Sequence, residues 1–186
     1  MKAVLDACVL YPPVLREILL GCAAAGLFQP VMSDRILREW TRATAKLGPL
    51  AQAQAEGAAV LVRAAFPRAM IAEQPGLEAR LMLPDPDDVH VLAVAIAGHA
   101  DAIVTFNAAD FPGHLLAAEC LTRRDPDGFL WELWSRHPAE VSRILEQVRA
   151  RAEGMAGTPV TLKSLLKRVR LNRLAKAIHA GGSAAG

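Results

Sequence analysis

The sequence predicts an α/β fold built on a central parallel sheet, and three observations point there. Short apolar, β-branched runs alternate with longer helical stretches, the pattern of βα units rather than of an all-β domain. Hydrophobic residues make up 53% of the 186 residues, and the excess is largely alanine, which favours helix. Acidic residues stand just beyond two of the predicted strands, where open α/β sheets place their sites.

Lys2 to Leu5 reads as a short buried strand ending at Asp6. Pro12 and Pro13 open a helix over residues 12–25, since proline suits a first helical turn, and Gly26 closes it. Residues 28–32 form a second strand. Ser33 and Asp34 cap the next helix, which carries Glu39 and Trp40 and ends near Gly48. The Ala- and Gln-rich residues 49–66 read as helix, and 69–72 as a short strand. Pro84-Asp85-Pro86-Asp87-Asp88 is a loop, because proline breaks regular structure. Val89 to Ala97 is a helix apolar on nearly every face and so buried, stopped by Gly98. Residues 102–105 are a β-branched strand, 107–112 a loop, and a short helix follows. Asp125-Pro126-Asp127-Gly128 opens a helix in which Trp131 and Trp134, three apart, are read as core rather than as stacking platforms for bases.

Beyond His137-Pro138 the chain reads as two helices, 138–153 and 161–178, split by Gly154, Gly157 and Pro159. The expected organisation is a domain over 1–136, a basic helical extension over 137–180 and a flexible tail over 181–186. The net charge of +2 hides an asymmetry: residues 137–186 carry nine Lys/Arg against three Glu, residues 1–136 twelve against sixteen acids. An acidic body with a basic end suits a polyanionic partner or a solvated helix face.

Cys8, Cys22 and Cys120 have no metal-ligand spacing and read as reduced thiols. No apolar run is long enough to span a bilayer, which takes about 20 residues, and none reads as a secretory signal. The expectation is a cytoplasmic protein without membrane contact. The five histidines form no metal-binding pattern and are read as surface or capping residues.

Four acidic positions carry the chemistry. A carboxylate such as Asp6, ending a central strand, is expensive unless paired, protonated or metal-bound. Asp88, with Asp87 beside it, opens a buried helix and can also be a cap. Asp110 follows the 102–105 strand and can also be a turn residue. Glu39 lies on a helix among apolar neighbours. Converging carboxylates suit hard divalent cations with oxygen ligands, which can assist attack on a phosphodiester.

Four blocks carry a resemblance: Val4-Leu5-Asp6-Ala7-Cys8-Val9-Leu10, Ser33-Asp34-Arg35-Ile36-Leu37-Arg38-Glu39-Trp40, Asp85-Pro86-Asp87-Asp88-Val89-His90-Val91-Leu92-Ala93-Val94-Ala95 and Ile103-Val104-Thr105-Phe106-Asn107-Ala108-Ala109-Asp110-Phe111. In this order and spacing, over roughly residues 1–135, the chain resembles the PIN-domain family, and within it the VapC-like toxins of toxin–antitoxin pairs, with a C-terminal helical extension. The resemblance implies a three-layer α/β/α fold and Mg²⁺- or Mn²⁺-dependent cleavage of RNA by a metal-activated water. Its catalytic positions fall on Asp6, Glu39, Asp88 and Asp110, with Asp6, Asp88, Asp110 and Asp87 as metal ligands and Asn107, Thr105 and Ser33 in supporting roles. Cys8 departs from the polar residue common at its position, and a thiol is expected to replace that residue's hydrogen bonds poorly. The basic stretch with Lys163, Lys167, Arg170 and Arg173 is expected to grip RNA phosphates or dock a partner through its apolar side. A cognate antitoxin and a homodimer are the implied protein partners. The alternatives are a non-catalytic RNA- or protein-binding module on the same fold, and a phosphotransfer enzyme with Asp6 as nucleophile, which Cys8 disfavours because such enzymes want a second Asp there.

Overall fold

The structure is a computed structural model that describes residues 1–183. Its elements follow the expected alternation: β1 (Lys2–Leu5), α1 (Ala7–Leu10), α2 (Pro13–Ala24), β2 (Gln29–Val31), α3 (Asp34–Ala43), α4 (Pro49–Ala65), α5 (Pro75–Glu78), α6 (Val89–Ala97), β3 (Ala102–Val104), α7 (Gly113–Ala118), β4 (Thr122–Arg124), α8 (Pro126–Arg136), α9 (Pro138–Ala156), α10 (Leu162–Arg168) and α11 (Asn172–Ser183). The sheet is all-parallel, and the fold is of the expected α/β/α class followed by C-terminal helices. Among the described residues no helix is long and apolar enough to cross a membrane.

Two compact units share the chain. The first comprises Met1–Tyr11 and Phe28–Arg124, the second Pro12–Leu27 and the residues from Asp125 onward.

In the first unit the strand order is β2-β1-β3-β4. The chain leaves β1 to one side for β2 and later returns to its other side for β3, so the direction of winding reverses between β1 and β3. That reversal opens a crevice beyond the carboxyl ends of these two strands. Both are central, and Ala3–Leu5 of β1 and all of β3 are buried, which explains their apolar runs. Helix α6 packs on β1 and β3, and its residues Val89 to Ala95 are all buried.

The two edges depart from the sequence expectation. Residues 69–72 do not form a strand: Pro67 opens a 3-10 turn over Pro67–Ala69, and only an isolated bridge joins Met32 to Met70. The opposite edge, β4, is Thr-Arg-Arg and largely exposed, so it lacked the apolar signal by which strands are read. On β2, Gln29 N–H bonds to Met1 O on the β1 side, and the next residue, Pro30, has no N–H for the outer side.

In the second unit α2 packs on α9, α8 on α9 and α11, and α10 on α9 and α11. The single helix expected over 161–178 is broken. Arg170 adopts a left-handed φ of 63°, and α11 restarts where Asp127 of α8 accepts the N–H groups of Arg173 and Leu174 at 2.7 and 2.9 Å. This cap lies 46 and 47 residues away in sequence from the groups it accepts, beyond the reach of local pattern. Of the apolar side expected to dock a partner, Leu166 and Leu174 are buried inside the unit, with Leu165 and Leu171 beside them, while Leu162 and Val169 are half-buried. Trp131 and Trp134 are half-buried rather than core: Arg173 lies over the Trp131 ring at 3.5 Å, and Trp134 Nε1 donates to Ser142 Oγ at 3.1 Å. Within the expected tail, α11 continues to Ser183, and 184–186 lie outside the described residues.

Gly21 sets the closeness of α2 to α9, because a Cβ there would stand 2.8 Å from Ile144 Cγ2. Overpacking of this kind costs about 1–3 kcal/mol, against a helix-propensity gain of about 0.5–1 kcal/mol for alanine over glycine. Gly21→Ala should therefore lower the thermal midpoint, measured by circular dichroism; an unchanged or raised midpoint would show that Ile144 yields freely.

Candidate metal centre

Asp6 follows β1 directly and is 5% exposed. It stands at the start of α1 but makes no capping bond with its side chain. Its Oδ2 instead accepts from the Thr105 hydroxyl at 2.6 Å and from the Cys8 thiol at 3.0 Å. Thr105, just past β3, in turn accepts the Asn107 N–H at 2.9 Å. The doubt over Cys8 is corrected here. Its sulfur also receives the Phe106 N–H at 3.3 Å and lies 3.3 Å from Thr105 Oγ1. Burial, reinforced by the Asp6 carboxylate, pushes the thiol up to about 12, so it keeps its proton and remains a donor. One network thus fixes the ends of both central strands.

Beside it, Asp85, Asp88 and Asp110 bring carboxylate oxygens within 4.8 Å of one another, each side chain half-buried. Asp85 was absent from the expected ligands. Residues Pro86–Asp88 form a 3-10 turn, in which positions three apart eclipse, so Asp85 and Asp88 share a side. That spacing, read across Asp85-Pro86, was the available signal. Asp85 also caps the turn by accepting the Asp87 N–H at 2.9 Å. Asp88 makes no capping bond, which removes the competing cap reading for it.

Asn107 ties this group together. Its amide donates to Asp88 Oδ2 at 3.4 Å and to Asp110 Oδ2, so Asp110 belongs to the cluster while also lying in the turn over residues 108–110. The loop bearing both is anchored by another residue the sequence reading missed: Arg123 Nη1 of β4 donates to Ala108 O at 2.7 Å and Phe111 O at 2.8 Å. Burial, followed by the charges of Asp6, Asp110, Asp85 and Glu39, pushes Asp88 up to about 7. The set is all oxygen, anionic and convergent, which is the donor chemistry of a hard divalent cation.

Residues 2–109 match the PIN domain family, more than half of the chain. The chain belongs to the PIN-domain family. No curated protein and no solved structure matches it. PIN domains are generally metal-dependent nucleases, and the acidic triad of this PIN domain can hold a metal ion.

The other expected site residues divide. Glu39 of α3 adds its charge to the field on Asp88 but is held by Arg35 at 3.3 Å and lies 2.8 Å from His90 Nε2. The His90 ring, 1% exposed, is close enough for an ion pair yet not aligned for a hydrogen bond. Burial of this histidine corrects the expectation that all five lie at the surface or serve as caps. Asp87 is exposed and outside the triad; its main-chain oxygen takes Arg35 Nη2 at 3.4 Å. Ser33 caps α3, its hydroxyl accepting the Ile36 N–H at 3.2 Å. Lys163, Lys167, Arg170 and Arg173 are exposed in the second unit, Arg173 being stacked on Trp131.

A raised acid in the folded state holds a proton that the unfolded chain has lost. In cation-free protein the Asp88 contribution to stability is therefore full at acid pH and declines as pH rises from about 4 towards its folded value of about 7. A divalent cation must displace that proton, so its stabilising effect should be larger at about pH 8 than at about pH 5.5. Thermal shifts with and without cation at both pH values test this, and an equal shift at the two would rule out Asp88 as a ligand.

Proposed function

We propose that this PIN domain is a Mg²⁺- or Mn²⁺-dependent endoribonuclease and the toxin component of a type II toxin–antitoxin pair. The observation that carries the reading is the convergence of Asp85, Asp88 and Asp110 beside Asp6, at the point where the sheet reverses its winding.

Asp85, Asp88 and Asp110 would hold the cation, which supplies Lewis-acid polarisation of a phosphodiester and lowers the pKa of the attacking water. Asn107 keeps the Asp88 and Asp110 carboxylates turned towards each other. Thr105 and Cys8 orient Asp6 through donated hydrogen bonds, leaving its remaining lone pairs for water or cation. Asp6 and Glu39 deepen the negative field that draws a cation in. Metal-binding carboxylates of this kind select small, hard ions, and Mg²⁺ keeps several waters in such a site.

The cognate antitoxin, the homodimer and the cytoplasmic location are part of the same proposal, resting on the resemblance of the four sequence blocks to VapC-like toxins. Induction of the chain alone should arrest growth, and co-expression of an antitoxin from the neighbouring reading frame should relieve it. Growth unaffected by the chain at levels that cleave RNA in vitro would end the toxin reading and leave the nuclease standing.

Purified protein should cleave single-stranded RNA with Mg²⁺ or Mn²⁺ and stop with EDTA. Asp88→Asn and Asp110→Asn should each lower the rate by more than about a hundredfold, beyond the roughly 10- to 100-fold typical of residues that only orient ligands, the range expected for Thr105→Ala. Full activity in both Asn variants, with folding verified by circular dichroism, would sink the nuclease reading.

A further inference from the structure

We infer that the arginine face of α3 is the track that holds the RNA backbone leading into the metal centre; this rests on the ribonuclease reading. Three residues of α3, Arg35, Arg38 and Arg42, recur at i, i+3 and i+7 and so share one face of the helix. Together with Glu39 and Asp87 they line a groove of about 430 Å³. Glu39 and Asp87 are the lining residues that tie the groove to the acidic cluster: the Glu39 charge is felt at Asp88, and Asp87 precedes Asp88 in the turn. Glu39 stands between Arg38 and Arg42, and the three arginines span about 10 Å along the helix, at 1.5 Å per residue.

A site with this much negative charge repels the phosphates of its own substrate. Cations set to one side are needed to retain the strand, and guanidinium groups suit the task because they meet phosphate oxygens with paired donors. Arg35 is held at the rim by Glu39, Glu78 and the Asp87 carbonyl, each at 3.3–3.4 Å. Arg38 pairs with Glu73 at 2.5 Å, both half-exposed. Exposed pairs of this kind are weakly held and exchange readily for a phosphate. Arg42 is exposed and has no ion-pair partner among the described residues. Arg38 and Arg42 also line a second groove, of about 350 Å³, between α3 and α4, across which stand Glu56 and Arg63, the latter paired with Asp34 at 2.6 Å.

This assignment differs from the expected contact through Lys163 and Lys167, which lie in the other unit. Binding of a short, fluorescein-labelled single-stranded RNA of mixed sequence to the full chain, followed by anisotropy in EDTA over a range of salt, separates the two. Counterion release on single strands gives a slope of about 0.7 per phosphate contact, so Arg38→Ala/Arg42→Ala should lower the slope of log K against log salt by about 1.4 and weaken binding about tenfold at low salt. Lys163→Ala/Lys167→Ala should leave the slope unchanged. If wild type cleaves RNA but the α3 pair binds with unaltered slope, or only the α10 pair lowers it, the track is overturned and the nuclease stands. If wild type neither binds nor cleaves RNA, the ribonuclease reading falls and takes the track with it.

Discussion

Gathering Asp85, Asp88 and Asp110 within 4.8 Å requires electrostatic work, because half-buried carboxylates repel through a medium that screens them less than water. The rise of Asp88 to about 7 comes first from its burial and then from this repulsion, with Asp6 and Glu39 adding to that of Asp110 and Asp85. Without compensation the group would be relieved by turning its side chains outward. The surrounding structure prevents this: the 3-10 turn eclipses Asp85 with Asp88, and Asn107 bridges Asp88 to Asp110. The turn and the Asn107 amide hold the carboxylates together, and either a proton on Asp88 or a divalent cation in the triad can relieve their repulsion.

Parallel topology makes such a concentration attainable. β1 and β3 are neighbours that end on the same side, so the residues after them meet although they are about one hundred positions apart in sequence. The Asp6–Thr105–Cys8 network locks the two strand ends together, and Arg123 pins the following loop from the adjacent strand. Cys8 shows how a substitution of residue type can keep a role: a buried thiol with its proton retained is a serviceable donor to a carboxylate and acceptor from an amide.

Most of the sheet and the long helices were legible because burial writes itself as apolar runs, as in β1, β3 and α6. What escaped lacked that signature. β4 is an exposed edge of polar residues, the break at Arg170 depends on a cap donated from α8, and the four-residue helices α1 and α5 are too short to show a period. In the candidate site, Asp6, Asp88 and Asp110 were readable as acids beside strand or helix ends, and the structure brings Asp88 and Asp110 together. The exchange of Asp87 for Asp85 turned on a single turn of 3-10 geometry, which neighbouring aspartates in a proline loop do not announce. His90 was misread because its partner Glu39 sits on a different helix.

The strands at the two margins of the sheet have one more implication. On β2, Pro30 withholds a donor where an incoming chain would need one, and just beyond it Met32 is occupied by Ala69 and Ile71. On β4, arginines at 123 and 124 place positive charge along the other margin. Proline on one margin and arginines on the other make this sheet a poor template for edge-to-edge pairing with another chain.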